Sequence, residues 1–323
     1  MTSPWLITCV GTEADLPLLP HWLDHYTAIG IEPDRIVCIL NASDAGAPEL
    51  AAARALLAER GVRRVRDWLK PYTSEAMWAV RREAQRAVAA PEDWVLSADV
   101  DEFHAYPEAL PAFLARCEGW GVTCVQGPFI DRLAPGGRLA PVSASPDLAA
   151  QFPLRAEASL SLFGEGASHN RYGTVKVMAM RGHVMPSRGG HHPTEDSGAR
   201  FLYGAPLAAF GAVTTPGFRF ALPAWVDHYH WTATLPERLR RRLATPGVSV
   251  AGAEYGARQL RLLGPDLTVP LDAVALRGGA PDGDWTRAVA RLRRQGLIVR
   301  KRRALGAVLA RARAVTGATA RSG

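Results

Sequence analysis

Cysteine is scarce in this sequence: Cys9, Cys38, Cys117 and Cys124, with no C-x-x-C pair among them. That spacing argues against a disulfide framework or a cysteine zinc cluster as the organising feature. Three of the four lie in apolar, strand-like runs, where reduced core thiols are expected. No apolar run is long enough to span a bilayer, and the N-terminal "MTSPWLITCV" lacks the basic segment of a signal peptide. A cytoplasmic chain is the expectation. There is no internal repeat and no extended low-complexity tract. From Trp285 to Gly323 there is no acid at all, against eleven Arg or Lys. The net charge of +7 therefore belongs to that end, since the 27 basic and 31 acidic residues before it leave the body at −4. A body of that sign is not built to grip nucleic acid over a broad face, and no nucleic-acid partner is expected.

What is present describes a globular α/β chain. In 323 residues, 48% hydrophobic and 21% charged, there is material for a substantial core. "WLITCV" (5–10), "RIVCIL" (35–40), "VRRVRDW" (62–68), "DWVLSA" (93–98) and "GVTCVQG" (121–127) read as strands. Helical apolar spacing fills the intervals at 15–30, 47–61, 74–90 and 107–119, with Ser74 as a cap and Gly30 and Gly61 as C-terminal stops. Alternation at this spacing implies βαβ units and a mostly parallel sheet with helices on both faces. From Asp131 to about Pro223, Gly and Pro become frequent and long loops around a site are expected. A helix resumes near 234–244, and two basic helical segments follow Pro281.

The stretch "DWVLSADVDEF" (93–103) places Asp99, Asp101 and Glu102 directly after a buried strand. Ligands of open parallel sheets bind beyond the carboxyl ends of strands. Asp99 and Asp101 have the spacing that points two side chains to one side of extended backbone. Carboxylates converging there raise one another's pKa unless a cation lies between them, and Mg²⁺ or Mn²⁺ is the simplest relief. The plain alternative is a solvated acidic loop.

Trp94 to Phe103 resembles the D-x-D motif of GT-A-fold glycosyltransferases in the form W-x-x-x-x-D-x-D-E-F. "ITCVGTEADLPLLPHWLDHYTAIGIEPDRIVCILNASDAG" is similar to their opening strand, an E-x-x-x-L-x-x-W-x-x-x-H/Y-x-x-x-G helix and a strand ending in N-x-S-D. "GPFIDRLAPGGRLAPV", "TVKVMAMRGHVMPSRGGHH" and "DHYHWTATLPERL" look like later blocks of the family-2-like and family-92-like enzymes, so that the resemblance covers about 5–245. It implies a Rossmann-like GT-A fold, with 1–130 binding the nucleotide sugar, 131–245 completing the metal and acceptor site, and 246–323 a C-terminal extension. It also implies metal-dependent, inverting transfer of a sugar from a nucleotide-diphosphate sugar to a glycan or lipid-linked acceptor.

On that resemblance Asp101 matches the metal ligand, and Asp99 the residue shared between ribose and metal. His191 and His192 are the expected further ligands, with His228 as the alternative. His228 and His230 also share a face that would suit a structural zinc, though no Cys is near. Glu13, Asn41, Ser43 and Asp44 lie at the strand edge where polar groups can bond base and ribose. Here "GTE" (11–13) replaces the family's K-N-E. Asp131 is the expected base, with Glu195 and Asp196 as alternatives. Glu102, Arg132, Lys176 and Tyr229 are expected at the acceptor or diphosphate. Each has an ordinary structural reading beside it: caps and turns for "NASD", an Asp131–Arg132 loop pair, solvent-facing bases, surface histidines.

The basic end interleaves Arg291, Arg293, Arg294, Arg300, Lys301, Arg302 and Arg303 with Val, Leu and Ile, a pattern suited to peripheral contact with anionic lipid through 285–323. A solvated helical tail is the alternative. Two rival functions follow from the same residues. A metal-dependent nucleotidyltransferase would use the same carboxylates, but "CVGTEADLP" offers no Lys or Arg near the phosphates. A non-enzymatic membrane- or nucleic-acid-binding protein acting through the tail leaves the acidic cluster without a role.

Overall fold

The computed structural model describes residues 3–161, 173–246, 248, 250–279 and 283–319, with backbone alone for 161, 251, 252 and 303–319. The Arg303 side chain and residues 320–323 of the basic end thus lie outside the described residues.

Among the described residues ten strands are formed: β1 (Trp5–Gly11), β2 (Ile36–Asn41), β3 (Arg64–Trp68), β4 (Trp94–Ser97), β5 (Glu102–Ala105), β6 (Cys124–Leu133), β7 (Leu154–Ala156), β8 (Val175–Arg181), β9 (Trp225–His228) and β10 (Leu276–Arg277). The main sheet runs β3-β2-β1-β4-β8-β6. Only β8 opposes the others, because it pairs antiparallel with both β4 and β6, and the remaining pairs are parallel. β6 continues past this sheet into a smaller one, pairing with β7 and β9, while β5 joins β9 and β10 joins β7. The α/β, Rossmann-like architecture expected from the sequence is the one observed.

Strand alternation builds the two faces. Leu6 and Val10 of β1, with Ile36, Cys38 and Leu40 of β2, pack against helices Leu19–Ala28, Pro48–Glu59 and Leu110–Gly119. Ile7, Cys9, Val37 and Ile39 pack on the opposite face against helix Ser74–Val88. All four cysteines are free and buried, as expected. Gly30 and Gly61 take φ of +100° and +76°, the left-handed stops that glycine provides.

Local expectations shift in four places. Thr73, not Ser74, caps helix Ser74–Val88: its backbone is extended and its hydroxyl accepts from Ala76 N–H at 3.3 Å. The helix expected at 15–30 divides into Thr12–Asp15 and Leu19–Ala28. The stretch after Asp131 is loop-rich, yet it contributes β7 and the wholly buried β8. β8 has Val175 and Val177, but Lys176, Met178, Ala179 and Met180 dilute the β-branched signal of a buried strand. The two basic segments form one 35-residue helix, Trp285–Thr319.

That helix begins inside the protein. Val289 and Leu292 belong to the main core, and Trp285 packs 5.6 Å from Phe113 and 5.8 Å from Trp120. A Cβ on Gly296 would meet the Tyr203 carbonyl at 2.1 Å, so only glycine allows this approach. Among the described residues, no helix is long and apolar enough to cross a membrane.

Candidate active site and metal centre

The acidic turn is held from behind. The Glu102 N–H donates to the Asp99 carbonyl at 3.0 Å, and the Asp99 N–H donates back to Glu102 Oε2 at 3.0 Å. Helix Leu19–Ala28 clamps the same backbone with side chains one turn apart. Trp22 Nε1 donates to the Asp99 carbonyl at 3.1 Å, and the Tyr26 hydroxyl donates to the Glu102 carbonyl at 3.0 Å. The turn is therefore rigid before any ligand arrives.

Asp99, Asp101 and Glu102 bring ligating oxygens within 4.8 Å of one another, as a metal site would require, and side chains already offset part of the repulsion between Asp99 and Glu102. Arg81 Nη1 lies 2.8 Å from Asp99 Oδ1, and Lys176 Nζ lies 2.9 Å from Asp99 Oδ2 and 2.7 Å from Glu102 Oε1. Both cations are nearly fully buried, at 1% and 2% side-chain exposure. Burial opposes ionisation of Asp99, but Lys176 and Arg81 overcome it and hold the carboxyl below its usual range. Glu102, deeper and beside Asp99, is pushed up to about 7 by burial first and by that neighbour second. Lys176, set against the reading of strand bases as solvent-facing, thus sits at the centre of the network.

Asp101 points to a different set of partners. Its Oδ2 lies 3.2 Å from His230 Nδ1, 3.9 Å from His228 Nε2 and 3.6 Å from Arg238 Nη2. Ligating atoms of Asp101, His228 and His230 all fall within 4.8 Å of one another. His228 is register partner of both Glu102 and Asp131, which brings β5, β6 and β9 to one point. Tyr229, between the two histidines, turns the other way and packs 4.8 Å from Phe103 and 5.9 Å from Phe152. The imidazoles of His228 and His230 stack at 5.0 Å, with Phe129 stacked on His228 at 4.3 Å.

Each imidazole is aimed by a buried partner. His228 Nδ1 lies 2.9 Å from Asp131 Oδ1, a carboxylate that can only accept, so Nδ1 carries the proton and Nε2 faces Asp101. His230 Nε2 lies 2.8 Å from the Gln259 amide nitrogen, while buried Gln259 Oε1 has no hydrogen-bond partner. The direction of that amide sets the tautomer: with its carbonyl turned toward the ring, Nε2 would carry the proton and Nδ1 would be free to ligate a cation beside Asp101. Burial lowers His230 to about 4, which keeps the ring neutral at neutral pH.

Carboxylates outnumber bases here: among the described residues Asp15, Asp99, Asp101, Glu102 and Asp131 face Arg81, Lys176 and Arg238, although Glu102 near 7 is only partly charged and Asp131 and Asp101 hold His228 toward its charged form. One carboxylate with two imidazoles is a donor set for a divalent transition-metal ion, without fixing which one. Arg238, paired with Asp15 at 3.2 Å, donates to His230 Nδ1 at 3.0 Å, so a bound cation competes with it for that nitrogen.

Asp131, the expected base, is fully buried and accepts from Ser159 N–H (2.6 Å), Ser159 Oγ (2.7 Å), His228 and Trp231 Nε1 (2.9 Å). Glu195 and Asp196 lie on an exposed turn, and neither belongs to an acidic or histidine cluster among the described residues. His191 points Nδ1 at the Val175 carbonyl (2.9 Å) and His192 points Nδ1 at the Pro193 carbonyl (3.0 Å); neither joins Asp101. Glu13 accepts from Ser43 N–H at 3.1 Å and pairs with Arg241. Asp44 accepts from Gly46 N–H at 2.7 Å. The Asn41 amide is spent on the Trp68 and Lys70 carbonyls, at 2.8 and 2.9 Å. Arg132 lies with Asp227, on the other side of β6 from Asp131.

Four residues of the site escaped sequence reasoning. Arg81 occupies the buried stripe Met77, Trp78, Arg81, Ala84, Gln85, and a charged residue at a core position of a helix was the available signal. The acid standing four residues before Leu19, in the register of Trp22, Tyr26 and Gly30, is Asp15 rather than Glu13. Arg238 and Gln259 come from helices Leu235–Ala244 and Val250–Leu263, and no local pattern marks them. A cleft of about 320 Å³ between Leu23, Thr27, Pro33 and Val62 holds only the Asp24–Arg60 pair and no ligating cluster.

No family model matches the chain, and no curated protein matches it. Among solved structures, S. aureus TarS 1–349 aligns at TM-score 0.32 and 11% identity, over 80% of this chain and 70% of that one. A longer TarS structure aligns at 0.32 and 12%, over 76% of this chain and 40% of that one. Mannose-1-phosphate geranyltransferase from Thermus thermophilus aligns at 0.26 and 17%, over 81% and 64%. Likeness at this level assigns neither family nor activity.

Proposed function

We propose that the chain is a metal-dependent glycosyltransferase that uses a nucleotide-diphosphate sugar. The observation that carries this reading is the meeting of Asp101 with His228 and His230 at the carboxyl end of β4, beside an Asp99 already fixed by Arg81 and Lys176. Asp101, His228 and His230 hold the ion, and Asp131 and Gln259 orient the two imidazoles. Mn²⁺ or Mg²⁺ bound there supplies electrostatic stabilisation to the departing nucleoside diphosphate.

The protein's own groups do the rest. Asp99, with both oxygens held, offers a fixed acceptor to a ribose hydroxyl. Glu13, Ser43 and Asp44 border the base side, and Asn41 shapes it by tying β2 to the chain after β3. Asp131 is a positioning residue: it is fully buried, and Ser159 Oγ, His228 and Trp231 converge on its Oδ1. In an inverting transfer the base then falls to Glu195 or Asp196, the exposed carboxylates beyond His191 and His192. The acceptor is a glycan or a lipid-linked saccharide of the kind used in envelope polysaccharide.

Thermal-shift titration with nucleoside diphosphates, with and without Mn²⁺, tests the reading on wild type and Asp101→Ala. Stabilisation that requires both metal and nucleotide, and disappears in Asp101→Ala, is expected. Wild-type protein indifferent to the combination sinks the reading.

A further inference from the structure

The chain between β3 and helix Ser74–Val88 is short and fixed at both ends. The Asn41 amide donates to the Trp68 and Lys70 carbonyls, at 2.8 and 2.9 Å. The Trp68 ring is buried in the same core cluster as Met77 and Trp78. At the far end the Thr73 hydroxyl accepts from Ala76 N–H, and Pro71 fixes φ in the middle. This rigid loop carries two large side chains out to solvent, Leu69 at 40% and Tyr72 at 39% exposure. The Tyr72 ring is backed by Trp68, with centroids 6.1 Å apart and planes tilted by 55°.

Tyr72 reaches back across the sheet edge. β3 and β4 are separated by β2 and β1, so three strand spacings, about 14 Å, lie between them. Yet the Tyr72 phenol feels Asp99, which follows β4, together with Cys9 of β1 and Arg242 of helix Leu235–Ala244. The ring therefore stands over the carboxyl ends of β1 and β2, on the approach to the partly exposed Asp99. Along that edge the side chains expected to read a base are engaged with one another. Glu13 holds Ser43 N–H and Arg241, Asn41 holds the loop itself, and Asp44 holds Gly46 N–H. An open ring face is what Tyr72 adds to them.

We propose that Tyr72 is the platform on which the nucleobase of the donor stacks. The inference rests on the nucleotide-sugar reading above and adds to it a residue after β3, where the family resemblance places none of its base contacts. The order of groups matches the ligand: Tyr72 for the base, Asp99 for the ribose, and the metal at Asp101 for the diphosphate, in the sequence in which a nucleotide joins them. An aromatic face stacks on any base through its π system, so the platform demands a base without choosing among bases. The ring carries this role and the hydroxyl does not. Trp68 behind it and Asn41 beneath the loop hold the face in place before the ligand arrives.

The test uses the full chain with Mn²⁺, titrated calorimetrically with uridine, guanosine and adenosine diphosphates and with inorganic pyrophosphate, which has no base. Tyr72→Ala is expected to weaken every nucleoside diphosphate that wild type binds by at least about tenfold. Pyrophosphate is expected to bind Tyr72→Ala as it binds wild type. Tyr72→Phe keeps the ring and is expected to bind nucleotides as wild type, whereas Tyr72→Leu fills the space without a π face and is expected to lose what Tyr72→Ala loses. The proposal falls if Tyr72→Ala or Tyr72→Leu binds nucleotides as wild type, if Tyr72→Phe loses as much as Tyr72→Ala, or if pyrophosphate weakens in parallel. Wild type that binds no nucleotide overturns it together with the nucleotide-sugar reading. Binding that Asp101→Ala abolishes and Tyr72→Ala leaves intact overturns the platform and spares that reading. Far-ultraviolet circular dichroism of each variant separates loss of binding from loss of fold.

Discussion

His228 Nδ1 lies 2.9 Å from Asp131 Oδ1, while Nε2 across the same ring faces Asp101 Oδ2 at 3.9 Å. A carboxylate that fixes one ring nitrogen and frees the other is a recurring support for metal ligation by histidine. Asp131→Asn is expected to weaken Mn²⁺ binding by about 10–100-fold, with the fold retained. Calorimetric titration with Mn²⁺ reads this directly, and an unchanged affinity would remove Asp131 from the metal's support.

Asp99 and Asp101 are expected to separate in the same titration. Asp101→Asn removes a ligand and abolishes measurable Mn²⁺ binding. Asp99→Asn alters an oxygen pair already held by Arg81 and Lys176, and is expected to change metal affinity by less than about tenfold while weakening nucleotide binding. Equal loss in both variants would return Asp99 to the ligand set.

The acidic cluster was legible because its spacing and its place after a buried strand are local properties. The βα alternation of the first 130 residues was legible for the same reason. What the cluster is paired with was not. Lys176 lies 77 residues from Asp99, and its burial depends on β8 being inserted between β4 and β6, a long-range pairing with no sequence signal of its own. The choice between His191–His192 and His228–His230 is of the same kind. Both pairs follow plausible loops, and only the register of β9 against β5 and β6 decides which reaches Asp101.

Glu13 carries a pH-dependent contribution. Ser43 first, and Arg241 after it, hold its carboxyl below the usual range. A depressed carboxylate stabilises the fold above the unfolded pKa of about 4.3 and loses that contribution as pH falls through the lower folded value. The pair is partly exposed, so its worth at pH 7 is at most about 1 kcal/mol and is screened by salt. Urea unfolding of Glu13→Gln is expected to show that deficit at pH 7 and none well below pH 4. A deficit that persists in acid would assign the effect to packing.

Arg219 is fully buried and bonds Glu157 at 2.8 and 2.9 Å, Thr174 Oγ1 at 3.0 Å and the Thr174 carbonyl at 2.9 Å. Arg219→Met strands a buried carboxylate, at a cost of about 3–5 kcal/mol. In a chain of this size that lowers Tm by roughly 5 °C. Removing both charges in Glu157→Leu/Arg219→Met is expected to recover part of the loss. Calorimetry showing the double variant no more stable than the single would argue that the carbonyl contacts, not the charge, matter.

The basic end calls for substitution rather than deletion. Removing 285–323 takes Val289 and Leu292 out of the main core, so a truncated chain reports on folding as much as on surface contact. Beyond Gly296 the helix leaves the core: Leu297 and Ile298 are about half exposed, beside Arg300, Lys301 and Arg302. Apolar side chains flanked by bases suit the interface of an anionic bilayer, where each base near the surface is worth about 1 kcal/mol. Replacing Arg300, Lys301 and Arg302 with Gln is therefore expected to weaken binding to phosphatidylglycerol vesicles by roughly 100-fold, with weak binding to phosphatidylcholine throughout. Raising the salt to about 0.5 M should weaken wild-type binding in the same direction. Vesicle sedimentation that is indifferent to all three substitutions would leave this end as a solvated helix.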